Sequence, residues 1–478
     1  MKLEYMLSWY CLPASERCNG NPAFFLHQAL KMKQLLLTTT LLIFTTFLMA
    51  QPEKPDLNDP YQATWAKLDS LLQRGQTRSA YEFLQTEKAL IQEDVLAHPE
   101  RYPYLIKATV TVLELGKNLE ENGNWKAIRE LEEITRLAGP PEKAIYQSYL
   151  AEQYHQYWQQ NRWQLQNRTV QLDAEPGDDA TSWSSANLLE RITALYLSSV
   201  AEHDTRSYNI ENIQPLLATG DNGFDLLPTV YDLLLHRALT YFRTNDAFLN
   251  EPQYEPALNK LDLLHPAAAF IQLELPKRDE SSSSYRHILE LLQEALAWSL
   301  NNRKDTKAHL DLDLSRLQMV YGKLTLTSKH EAYQQALSQL EQQYANTPLL
   351  ADVMLEQARH FYERGNAYDS GNPTTEHLRW YFKKTIELLA QIQSRFPKTL
   401  AAERARSLHA QIRQPGLTVS IEQVQLPQQY SLGQIRFQNL EAVHYRIVAG
   451  NPNESSEQNY EELLKRLLAK KATNSWSE

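Results

Sequence analysis

From Pro60 to Ile412 the apolar residues recur at three- and four-residue spacing, the period of helices that bury one face. Trp65, Leu68, Leu71 and Leu72 form one such face, which closes at Gly75, and Ala80, Phe83 and Leu84 open the next after a short turn. The two make an αα-hairpin. The same reading predicts helices over Tyr104–Leu119 and Trp125–Leu137, then a helix launched by Pro140-Pro141 that carries Tyr146, Leu150, Tyr154, Tyr157 and Trp158. Proline suits a helix start because its missing N–H has no partner there in any case. Four more helices, His330–Tyr344, Leu349–Arg364, His377–Phe396 and Leu400–Ile412, are expected as two further hairpins. Stretches mixing turn formers with charge separate the helical blocks at Asp173–Trp183, Ala218–Pro228 and Leu275–Tyr285, and the run Ser281–Ser284 reads as a solvated loop.

After Pro415-Gly416 the period changes from helical to alternating. Leu417, Val419 and Ile421 share one face; Val424 and Leu426 fall on the shifted parity; Ile435 and Phe437, then Val443, Tyr445 and Ile447, continue the alternation. Three or four strands are expected, followed by a helix over Tyr460–Leu468, whereas a sandwich takes about seven strands. The expected fold is therefore mainly α: tetratricopeptide-like helical hairpins over residues 51–413, then a truncated β-sandwich over 416–478. "RFPKTLAAERARSLHAQI" carries the likeness to the tetratricopeptide pattern, with alanines where helices must approach closely.

Ahead of the helices, "MKQLLLTTTLLIFTTFLMAQ" begins at Met32 with Lys33, runs apolar from Leu35 to Met49 and ends at Ala50-Gln51. A basic start, a short apolar run and a polar flank with no stop-transfer charge make a secretory signal peptide, too short to span a bilayer comfortably. Residues 32–50 are expected to be removed, leaving Gln51 first and no stable membrane span. Residues 1–31 are then an upstream extension, with Met32 the functional start. Gln51, not cysteine, follows the cut, so no lipoprotein anchor is encoded there.

Composition narrows the chemistry. Both cysteines, Cys11 and Cys18, precede the mature chain, which excludes disulfides, cysteine-ligated zinc, a cysteine nucleophile and an internal thioester after residue 18. Export without disulfides suits a bacterial periplasm or outer envelope. The net charge of −10 and the lack of a basic stripe argue against nucleic acid. Fourteen glycines in 478 residues leave little for phosphate-cradling loops.

Individual polar residues offer weak candidates. His309, Asp311 and Asp313 in "HLDLDLS" present ligating groups at alternate positions but lack the glycine and terminal glutamate of a calcium loop. His155 and Tyr157 beside Trp158, and His236 in "LLLHRAL", sit on apolar helices where a hydrogen-bonded core histidine is the ordinary outcome. Glu82, Glu87, Glu130 and Glu133 are solvated helix faces by spacing, not the paired carboxylates of a glycosidase. The aromatic residues fall mostly at core spacing, with some available to line a superhelical groove for peptide. No catalytic, cofactor-binding or metal-binding residue is assigned, no cofactor is expected, and the chain is not read as an enzyme.

The mature chain resembles one family, the large alpha-2-macroglobulin-like proteins of Bacteroidetes. "QNRWQLQNRT" (Gln160–Thr169), "TSW" (Thr181–Trp183), "LPTVYDLLLHRALTYF" (Leu227–Phe242), "FPKTLAAERA" (Phe396–Ala405) and "FQNLEAVHYRIV" (Phe437–Val448) carry the resemblance. It implies a helical region ahead of a string of macroglobulin β-sandwich domains, of which "VHYRIV" opens the first. It further implies an envelope endopeptidase inhibitor whose protease-trapping parts lie downstream, with the helical region as docking or spacing arm. The expected partners are proteases through those downstream domains, and an envelope protein; the chain by itself is not expected to inhibit proteases. A free-standing helical-repeat adaptor of the envelope is the alternative.

Overall fold

The computed structural model describes residues 59–166, 183–217, 224–244, 246, 259–275, 283–304, 306–421, 433–448 and 460–477. The leader at 32–50, the extension at 1–31 and most of the loop Asp173–Trp183 lie outside the described residues, as do Val424 and Leu426. The chain is mostly helical with two small antiparallel ribbons, and it divides into two compact units, Met1–Lys329 and His330–Glu478. Among the described residues no helix is long and apolar enough to cross a membrane.

In the first unit the helices are α1 (Gln62–Gln73), α2 (Thr77–Ala97), α3 (Tyr102–Gly116), α4 (Gly123–Leu137), α5 (Glu142–Gln166), α6 (Ser185–Ala201), α7 (Val230–Phe242), α8 (Ser283–Asn302) and α9 (Lys307–Lys323), with a single turn at Ala267–Phe270. Gly75 ends α1 with φ +72°, and the N–H groups of Gly75 and Gln76 return to the carbonyls of Leu72 and Leu71, closing the helix end that a side chain at Gly75 would strain. Leu68, Ala80, Leu84 and Ile91 are buried with Ala108 and Val112 of α3 in one cluster, as the spacing requires. Tyr146, Leu150, Tyr154 and Trp158 bury successive turns of α5. Gly123 opens α4 where a Cβ would come 2.5 Å from the Lys117 carbonyl oxygen, so only glycine fits.

Polar side chains start the later helices. Thr229 and Asp232 form a reciprocal capping box at α7, and Thr306 accepts from the His309 N–H at α9. Asp232 also receives Arg303 from beyond α8, and Arg316 of α9 pairs with Asp313, so two ion pairs lie in the interior of this unit.

The second unit contains α10 (Lys329–Gln343), α11 (Leu350–Gly365), α12 (Tyr381–Arg395) and α13 (Leu400–Arg413), then β1 (Gly416–Ile421), β2 (Gly433–Gln438), β3 (His444–Val448), α14 (Tyr460–Ala469) and β4 (Ala472–Ser477). Two helix connections share one local design. Thr347 and Thr399 each return both N–H and hydroxyl to the carbonyl of the aromatic residue three positions earlier, Tyr344 and Phe396, at 2.8–3.0 Å. The aromatic ends one helix and the threonine turns the chain into the next. Ala351, Ala358, Ala401, Ala402 and Ala405 are buried together with Leu350, Met354, Leu389 and Ile392 in one cluster of α11, α12 and α13.

Two expectations change here, and one strand lies outside them. His377 lies in a 3-10 turn, Pro373–Leu378, because Asn372 caps it and Pro373 begins it; the α-helix starts only at Tyr381. Ser283 and Ser284 open α8 and so belong to helix, not loop. The strand β4, written Ala-Thr-Asn-Ser-Trp-Ser, has too little apolar alternation to be seen in the sequence, yet it pairs antiparallel with β3.

β1 pairs with β2 so that Leu417 faces Phe437 and Val419 faces Ile435. Leu417, Val419 and Phe437 remain 53, 52 and 47 % exposed, an apolar ribbon face that water covers poorly. Replacing Val419 and Phe437 together with threonine, which keeps strand propensity, is expected to lower concentration-dependent light scattering while leaving the circular dichroism spectrum unchanged. Undiminished scattering would show that this face does not drive self-association.

Candidate functional site: a groove along three helices

The second unit contains a cavity of about 290 Å³ along α10, α11 and α12. α10 contributes Gln334, Leu337, Ser338 and Glu341; α11 contributes Gln357, His360 and Phe361; α12 contributes Lys384, Glu387, Leu388 and Gln391. The positions follow from helical period, since 334, 337, 338 and 341 recur on one face, as do 384, 387, 388 and 391. Those faces are amphipathic at close range: Leu337 is fully buried and Leu388 half-buried, while Ser338 follows the first and Glu387 precedes the second.

Side-chain bonds tie α10 to α11. Gln357 donates from Nε2 to Glu341 Oε2 at 2.8 Å, and the Tyr333 hydroxyl donates to Glu356 Oε1 at 2.7 Å. Thr385 of α12 bonds back to its own helix at the Tyr381 carbonyl, 2.9 Å away. Lys384 spreads over aromatic surface, with Nζ 4.9 Å from the Tyr381 ring centroid and 5.5 Å from that of Phe361, a geometry that stabilises the cation against the ring faces.

His360 sits on the floor against Tyr333 at 5.1 Å between ring centroids. Burial, with help from His330 and Arg364, pulls its pKa down to about 4, so the imidazole is neutral at neutral pH and the floor carries no cation there. Glu363 is pushed the other way, upward, by burial and by the neighbouring Glu356.

Amide side chains make up three of the eight polar lining residues. Each of Gln334, Gln357 and Gln391 carries a donor and an acceptor, the same pair that every peptide unit presents. Amides beside the partly exposed apolar surface of Phe361 and Leu388 suit an extended polypeptide better than a small polar metabolite.

The residues weighed from the sequence are built into the packing. His309 is buried, 3.0 Å from the Ser299 hydroxyl, and Asp313 is held by Arg316 at 2.7 Å, while Asp311 lies 3.7 Å from His236. Because "HLDLDL" is helical, its alternate positions point about 200° apart around the axis and do not converge. His155 contacts Asp246 at 3.0 Å and stacks on Trp158, and Tyr157 packs on Trp125. Burial lowers the His236 pKa, against the opposing effect of Asp311.

Of the glutamates, Glu82 pairs with Arg78, Glu130 with Lys88 and Glu133 with Arg136, and Glu87 accepts from the Thr64 hydroxyl. None of these four lines the groove. Among the described residues, no group of three or more His, Cys, Asp or Glu side chains could hold a metal ion. Sequence pattern does not distinguish the groove residues, since glutamine at a polar helix position looks like ordinary solvated surface; the density of glutamine in "YQQALSQLEQQ" is the one available signal.

No family model, no curated protein and no solved structure matches the chain.

Proposed function

We propose that the chain is a protein-docking scaffold whose groove along α10, α11 and α12 holds an extended segment of another polypeptide. The observation that carries this reading is the lining: three primary amides beside apolar side chains in an open cavity of about 290 Å³. Such a groove meets backbone N–H and C=O groups with amides and takes up alternate side chains against Phe361 and Leu388, the division of labour by which extended peptides are recognised. The sequence stretches that resemble the Bacteroidetes alpha-2-macroglobulin-like proteins support a setting for it. In that setting the helical chain is the docking or spacing arm of an exported endopeptidase inhibitor, and the leader at 32–50 delivers it to the bacterial envelope.

Selection of displayed random nonapeptides on the full chain tests the docking reading. Enriched peptides are expected to bind wild type at least tenfold better than Ser338→Trp, whose indole fills the groove from a half-buried position. Peptides that bind both proteins equally would locate binding elsewhere and overturn the assignment.

A further inference from the structure

We infer that the groove selects an extended segment carrying a lysine or arginine two positions from an apolar residue; the inference rests on the docking reading above. Glu341 and Glu387 line the groove from α10 and α12. Neither takes part in an ion pair among the described residues; Glu341 instead accepts from the neutral amide of Gln357. Lys384, the Lys or Arg among the described lining residues, lies over the rings of Phe361 and Tyr381. Two carboxylates against one cation leave the groove net negative, and a basic side chain entering it meets opposite charge while an acidic one meets like charge.

The apolar requirement comes from the half-buried Phe361 and Leu388 in the same lining. In an extended chain, alternate side chains point to the same side. An apolar residue at one position and a basic residue two further on therefore enter the groove together, while the residue between them points to solvent and is unspecified. The partner is thus a polypeptide segment of the form apolar, any, basic, bound in extended conformation.

The test uses three fluorescein-labelled nonapeptides on the full chain, followed by anisotropy. Their sequence is Thr-Ser-Thr-Leu-Ser-Lys-Thr-Ser-Thr, with the lysine kept or replaced by glutamine or glutamate. The lysine peptide is expected to bind about five- to tenfold more tightly than the glutamine peptide, as two partly exposed charge contacts allow, and the glutamate peptide more weakly than either. The preference should shrink in 0.5 M salt and disappear in the Glu341→Gln/Glu387→Gln double variant, in which the glutamine peptide keeps its affinity. Equal affinities, or a preference for glutamate, with binding that Ser338→Trp abolishes would overturn the charge inference and leave docking intact. Absence of any binding sensitive to Ser338→Trp would overturn both.

Discussion

Replacing Asp232 with alanine is expected to destabilise the first unit by about 3–5 kcal/mol, the range for breaking a buried ion pair by removing one partner. Asp232 is 3 % exposed and serves two structures at once. Its carboxylate accepts from the Thr229 N–H at 3.1 Å and the Thr229 hydroxyl at 2.7 Å, completing the α7 capping box, and takes both terminal nitrogens of Arg303. Alanine would leave a guanidinium that is 10 % exposed without its counter-charge and would unmake the cap, itself worth about 1 kcal/mol. Arg303 keeps its cation–π contact with Trp298, 4.7 Å to the ring centroid, which is too weak to compensate. Asp232→Asn retains an acceptor for Thr229 and should recover the cap portion alone. Urea unfolding followed by circular dichroism, with hydrogen exchange to localise the change to α7 and α8, measures the effect; a loss below about 1 kcal/mol would show that Arg303 is effectively solvated.

A second large effect is expected at Arg316, which is fully buried. Its Nε donates to Asp313 Oδ1 at 2.8 Å, one terminal nitrogen donates to the Leu263 carbonyl, and the guanidinium stacks 4.6 Å from the Phe270 ring centroid. Arg316→Ala strands the buried Asp313 carboxylate and should cost about 3–5 kcal/mol. Arg316→Met with Asp313→Leu removes both charges and fills the volume with apolar atoms. The double variant is therefore expected to be markedly more stable than Arg316→Ala, short of wild type by no more than the unpaired Leu263 carbonyl, about 1–3 kcal/mol. A double variant as unstable as the two single losses added together would show that the pair contributes through specific geometry and not through mutual neutralisation.

Where burial sets the pattern, the sequence is readable. Tyr154 and Trp158 at one-turn spacing, and Leu68 with Ala80 and Leu84 across Gly75, announce their helices because a buried face must repeat with the helical period. The glutamates at 82, 130 and 133 likewise sit in surface ion pairs, as spacing on a solvated face implies. Local capping competes with periodicity at His377, where Asn372 and Pro373 hold a 3-10 turn that apolar spacing does not register. Pairing partners lie beyond the reach of a linear pattern, so β4 emerges only through its ladder with β3. The groove is hardest to read, since Gln334, Gln357 and Gln391 acquire meaning only when three helices bring them to one cavity.

Docking in that groove is the central claim, and the most direct measurement is the affinity of one selected peptide for three versions of the full chain. Wild type, Ser338→Trp in the groove and Ser407→Trp on the exposed face of α13 would be titrated against it by anisotropy. Ser338→Trp is expected to lose at least tenfold in affinity with its circular dichroism unchanged, and Ser407→Trp to keep wild-type affinity. Equal affinity for all three proteins would contradict docking in the groove.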